Sequence, residues 1–195
     1  MRLFIKSFSV RAHSEISHME LLSLSNETLQ ALERNGGALL KEMCKRGKVT
    51  IRINKERVLE LDGEGGDVWI AGEVLKALDF GFPHSRAYLL FGEKHFMEIL
   101  DLNLIFHGNQ KQVSRYKGRV IGLGGKSKKT LEELSGAFIA VSGDRIAIIG
   151  EFDDLRLAKE AVMRLLEGAM HSGVFGYLEK QQRERKYGNI GRRIS

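Results

Sequence analysis

Between Gly118 and Gly136 the chain reads GRVIGLGGKSKKTLEELSG. Gly122, Gly124 and Gly125 leave a stretch of peptide almost without side chains, and Lys126, Lys128 and Lys129 follow at once. Lys117 and Arg119 stand just before it, and the window 117–130 holds no acid. Missing β-carbons let another chain approach a backbone closely. A helix starting there offers unpaired N–H groups and partial positive charge. Lysines in a first turn oppose the helix dipole by a few tenths of a kcal/mol each, at about this order. Cations placed against the dipole point to an anionic ligand.

Nucleotide phosphate is the first such ligand to weigh. A P-loop ends in G-K-[ST], which Gly125-Lys126-Ser127 matches, but its first glycine falls on Val120. The dinucleotide pattern G-x-G-x-x-G is absent as well. The backbone of a single-stranded nucleic acid is the second ligand. Gly122-Leu123-Gly124-Gly125 is a G-x-x-G, the loop with which a KH module clamps a few nucleotides. A plain flexible turn is the bland alternative. The order of the surroundings favours the clamp: helical segment, Ile-Gly-x-x-Gly, basic helix, glycine cap, hairpin, helix.

The elements that position this loop occur twice. MELLSL (19–24) is similar to MEILDL (97–102), and the segments 35–53 and 64–82 are similar to 124–141 and 151–169. Each copy predicts a short strand, then an amphipathic helix over Leu39–Arg46 or Ser127–Ser135, capped by Gly47 or Gly136. Two strands follow, the second pair joined at Ser142-Gly143-Asp144. A longer helix closes the unit. In the second copy its apolar face is Leu155, Ala158, Val162, Leu165 and Leu166, with Asp153 or Asp154 as N-cap. The alignment puts Glu33-Arg34-Asn35-Gly36 in place of the G-x-x-G. An acid then stands at the first glycine, so the first copy reads as kept for structure and impaired as a clamp.

Composition narrows the rest. The 195 residues are 43% hydrophobic and 29% charged, with a net charge of +6, which is globular and suits an anionic partner. One cysteine, Cys44, excludes an intrachain disulfide and reads as a packed small hydrophobe. No apolar run is long enough to cross a membrane. The six histidines show no metal-site spacing, and the acids form no persuasive catalytic pair. DGEGGD at 62–67 reads as a loop without calcium-site spacing. No enzyme, metal or cofactor is expected.

The segment KGRVIGLGGKSKKTLEELSGAFIAVSGDRIAIIG resembles the second KH domain of the archaeal Dim-two proteins, relatives of the eukaryotic partner-of-Nob ribosome factors. LEGAMHSGVFGYLEKQQRER and GFPHSRAYLLFGEKHFMEILDL carry the same resemblance. It implies an α+β fold of two tandem type I KH domains, each a three-stranded sheet with helices on one face, closely packed. The expected boundaries are an extension over 1–18, a degenerate first KH domain over 19–83 and a connecting helix over 84–96. The second KH domain covers 97–175, and a basic tail covers 176–195.

The resemblance further implies a cytoplasmic assembly factor that binds the 3′ region of small-subunit ribosomal RNA. Its implied neighbours are a 3′-end trimming endonuclease and other small-subunit precursor factors. Gly122, Leu123, Gly124 and Gly125 would form the clamp. Arg119, Lys126, Ser127, Lys128 and Lys129 would lie near phosphates, and Ile121 and Ile139 would line the apolar groove for bases. The competing reading is a protein-interaction scaffold whose KH domains no longer hold RNA.

Overall fold

The structure is a computed structural model that describes residues 7–9 and 17–191. It divides into two compact units, residues 1–93 and 94–195. Most of the expected extension over 1–18 lies outside the described residues, as do Arg192 and Arg193.

The first unit runs β1 (Ser7–Ser9), β2 (Ser17–Leu22), α1 (Asn26–Gly47), β3 (Thr50–Ile53), β4 (Leu59–Glu64), α2 (Gly65–Asp79) and α3 (His84–Ala87). A 3₁₀ turn over Tyr88–Phe91 follows. Strands β2, β4 and β3 form the expected antiparallel core, and β1 adds a fourth strand beside β2. Ser25 starts α1 by accepting the Thr28 N–H through its hydroxyl. Leu29, Leu32, Met43, Leu59, Leu61, Val74 and Leu75 are buried.

Two local readings change here. The residue that caps α1 in the left-handed region is Lys48, and Gly47 is the last helical residue. Gly47 is needed for space instead, since a β-carbon there would meet the Phe91 ring at 3.0 Å. The segment expected as a loop over 62–67 is strand running straight into helix, because β4 ends at Glu64 and α2 begins at Gly65. Cys44 is half-buried.

The second unit runs β5 (His95–Asp101), α4 (Leu102–Ile105), α5 (Gln110–Ile121), α6 (Lys126–Ser135), β6 (Phe138–Ser142), β7 (Arg145–Glu151), α7 (Phe152–Leu166) and α8 (His171–Gly191). Its antiparallel sheet has the order β5-β7-β6. Leaving out the one-turn α4, strand, two helices, hairpin and helix follow one another as expected for a type I KH domain. Asn109 caps α5 by accepting the Gln112 N–H. Gly136 ends α6 with φ 85°, a conformation that favours glycine.

Leu131 of α6, Val120 of α5, Ile139, Ile146 and Ile148 of the sheet, and Ala158, Val162 and Leu165 of α7 share one core. The predicted apolar face of α7 is buried. Asp153 and Asp154 lie in the first turn of α7 and neither is its N-cap, which is Glu151. Asp154 instead accepts from Arg185 at 2.5 Å. That bond, with Val174 and Leu178 buried in the core, holds α8 against α6 and α7. The basic stretch expected as a tail from residue 176 is thus helical through Gly191.

Candidate nucleic-acid interface

The loop between α5 and α6 is four residues long. Gly122 adopts φ 72°, ψ 173°, a region almost confined to glycine. A β-carbon there would lie inside the backbone of the next helix. Gly124 and Gly125 are left-handed, at φ 59° and 77°, and a β-carbon on either would meet nothing within 4 Å. The first glycine therefore shapes the bend, while the other two keep its outer surface bare. Between them Leu123 is 87% exposed, an apolar tip on a cationic loop.

Helix α6 begins at this bend without a side-chain cap; the Lys126 N–H closes onto the Leu123 carbonyl, and the positive end of the helix dipole lies at the bend. Ser127, in the first turn, is 6% exposed and its hydroxyl has no partner among the described residues. A buried hydroxyl without a bond costs about 1–3 kcal/mol, and this one lies beneath the bend, where Gly122 packs against Ser127. Lys126 is exposed and has no ion pair among the described residues. Lys129 lies 3.7 Å from Glu133, but both are well exposed and water screens the pair. Lys128 is less free, half-buried and 3.5 Å from Glu132. Glu132 also accepts the Ile139 N–H at 2.7 Å, so it holds the strand β6.

Two residues expected at the interface sit elsewhere. Ile139 is 1% exposed and belongs to the core, so it cannot line a groove for bases. Its side chain faces the helices because β6 pairs it with Ile148 on the same inner face. Arg119 is turned away from the bend. Its guanidinium donates to the carbonyls of Leu165 at 3.0 Å and Ala169 at 2.5 Å. Carbonyls at the end of α7 attract a cation through the helix dipole, which explains the choice. Lys117 is also occupied, donating to the carbonyl of Gly143 at 3.0 Å and to Asp144 at 3.1 Å. That contact holds the Asp144 carboxyl below the usual range, first through the Lys117 bond and then through Asn103. Ile121 is half-buried at the end of α5. His171 opens α8 and bonds the Arg119 carbonyl at 2.9 Å.

The first unit has a bend at the matching place, inside α1. Arg34 is extended, and Asn35, Gly36 and Gly37 are left-handed. The last left-handed residue before the helix resumes is Gly37 there and Gly125 in the second unit. The matching position for Gly122 is therefore Arg34, one residue later than the sequence alignment put it. Glu33 stands outside the bend and pairs with Arg57 at 3.3 Å.

Among the described residues no three His, Cys, Asp or Glu side chains gather as a metal site, and no helix is long and apolar enough to cross a membrane. Residues 96–183, from β5 into α8, match the second KH domain of PNO1, described as a eukaryotic-type KH domain, KH-domain type I. A KH domain-containing protein of Methanocaldococcus jannaschii is 30% identical over 173 residues, which is 86% of this chain and 76% of that protein. The chain belongs to the Dim2/PNO1 family of KH-domain proteins. Another relative, the pre-rRNA-processing protein pno1 of Aspergillus fumigatus, is 28% identical over 76% of this chain; the chain spans 62% of that protein's length. Among solved structures, the a/eIF2alpha-aDim2p-rRNA complex from Pyrococcus horikoshii contains a chain matching with a TM-score of 0.77 and 30% identity. That match covers 86% of this chain and 96% of its counterpart. The Dim2/PNO1 match reaches residue 183, which includes most of α8.

Proposed function

We propose that this chain is an RNA-binding assembly factor of the cytoplasm that clamps single-stranded RNA near the 3′ end of small-subunit ribosomal RNA. The clamp is the bend Gly122–Gly125. The observation that carries the reading is the pairing of a bare bend, where β-carbons on Gly124 and Gly125 would meet nothing, with an uncapped helix start that bears the exposed Lys126. A phosphate set there meets the positive end of α6 and the Lys126 ammonium, with Lys129 at longer range. Leu123 offers an apolar contact to a base. The pre-rRNA-processing relative and the rRNA complex containing aDim2p support the choice of ribosomal RNA. A 3′-end trimming endonuclease and other small-subunit precursor factors are the proposed neighbours.

The test is a titration of the whole chain with a labelled single-stranded RNA copying that 3′ end. Gly124→Asp and Gly125→Asp together put two carboxylates on the bare surface. Asp tolerates left-handed backbone for roughly 1 kcal/mol, so folding survives. Affinity should fall at least about tenfold through charge repulsion. Unchanged affinity in the folded double variant would sink the clamp. A pull-down of protein partners unaffected by nuclease, with no RNA bound by the wild type, would favour the scaffold instead.

A further inference from the structure

The end of α5 is held from the far side. Arg119 lies three residues before Gly122, in the last turn of α5, so whatever fixes its backbone sets the direction in which the chain enters the bend. His171 bonds the Arg119 carbonyl, and the Arg119 guanidinium returns two bonds to Leu165 and Ala169. The same guanidinium lies 5.8 Å from the centre of the Tyr116 ring, which stacks on Phe106 with centroids 4.9 Å apart. Backbone and side chain of one residue are therefore tied to both ends of the α7–α8 connection. The Gly122 N–H closes onto the Gly118 carbonyl at 2.8 Å, so the helix stays intact up to the bend.

We propose that Arg119 is a positioning residue of the RNA clamp, acting through the α7–α8 connection and not by touching phosphate. This rests on the reading that the bend holds RNA. A planar fork reaches two carbonyls at once, and a lysine ammonium does not replace it. Contact with phosphate would require breaking both bonds at a half-buried site. Helix α8 is thereby part of the clamp's frame: its first residue, His171, holds the clamp helix, and its body lies against α6.

The experiment compares wild type, Arg119→Lys, Arg119→Gln and His171→Ala as whole chains. Amide hydrogen exchange of the free proteins comes first. The variants should exchange faster at Gly122–Lys126 while the β6 and β7 amides stay protected. Unchanged exchange at the bend overturns the proposal, whether or not RNA binds. The second arm titrates a labelled single strand of about 12 nucleotides across a salt series. Arg119→Lys should bind about tenfold more weakly with an unchanged salt slope. Lys126→Ala, the comparison for a phosphate contact, should lower the slope by about 0.7. Wild-type affinity in Arg119→Lys, or a slope lowered by about 0.7 in Arg119→Gln, overturns positioning in favour of no role or of direct contact. Failure of the wild type to bind any single strand would fault the clamp reading itself, and the exchange arm would still decide the role of Arg119. Should Arg119→Gln unfold, His171→Ala removes the other half of the tie and is expected to shift both readouts in the same direction.

Discussion

A β-carbon on Gly122 would stand 2.7 Å from the amide nitrogen of Ser127 and 2.6 Å from its Cβ. The first residue of the bend and the second of the helix are thus in contact that only glycine permits. Gly122→Ala adds backbone strain and overlap together, which destabilises the second unit by roughly 2–4 kcal/mol. Gly124→Ala faces open space and costs only about 1 kcal/mol of left-handed strain. Denaturant unfolding of both variants checks the contrast; equal losses would mean that the two glycines do the same thing.

Lys126 and Lys129 differ in commitment, since only Lys129 has a carboxylate nearby. Lys126→Ala should weaken single-stranded RNA binding and flatten its salt dependence by about 0.7. Lys129→Ala should do less of both. Stability should change by under about 0.5 kcal/mol in each, as for exposed sites generally. Affinity measured at several salt concentrations separates them.

Gly136 and Asp154 make a second tight pair. A β-carbon on Gly136 would sit 2.8 Å from Asp154 Oδ2, while the other oxygen of that carboxylate accepts from Arg185. Gly136→Ala should cost about 2 kcal/mol from left-handed strain plus displacement of the carboxylate. Adding Asp154→Ala should cost less than the sum of the two single changes, because it removes the overlap. A double-mutant cycle of thermal unfolding reports this directly.

Tyr177 donates to Glu160 at 2.7 Å, and Arg164 does so at 2.7 Å. These bonds, Tyr177 first, hold the Glu160 carboxyl below its ordinary value of 4.5. A depressed carboxylate stabilises the fold above its unfolded value and loses that contribution as pH falls through the folded one. The bonds should therefore support the second unit at neutral pH and fade below pH 4.5. Tyr177→Phe should lower stability at pH 7 by under about 1 kcal/mol, since the group is partly exposed. The gap from wild type should narrow in acid. Melting curves over an acid series measure it; a gap that widened in acid would contradict the assignment.

Much of this architecture was readable from local pattern. The apolar spacing of Leu155, Ala158, Val162 and Leu165 announced α7, and Gly136 announced the end of α6. The Ser142-Gly143-Asp144 turn announced the hairpin. Such features depend on neighbours in the chain. What could not be read depends on distant ones. Nothing near Arg119 tells that Leu165 and Ala169 will present their carbonyls to it. Short alternation did not reveal that Ile139 points inward, because β6 is apolar on both faces. The first unit's bend was misplaced by one residue because a glycine pair aligns equally well in two registers, and only the backbone, extended at Arg34 and left-handed through Gly37, separates them.

Lys117 ties α5 to the turn between β6 and β7, gripping Gly143 and Asp144. A helix stapled to a hairpin has little slack, so the bend it carries is shaped before any strand arrives. On the proposed clamp reading, capture then demands no folding of the protein. Its speed should follow the frequency of collisions, rising as salt is diluted, with a single kinetic phase and no lag for rearrangement.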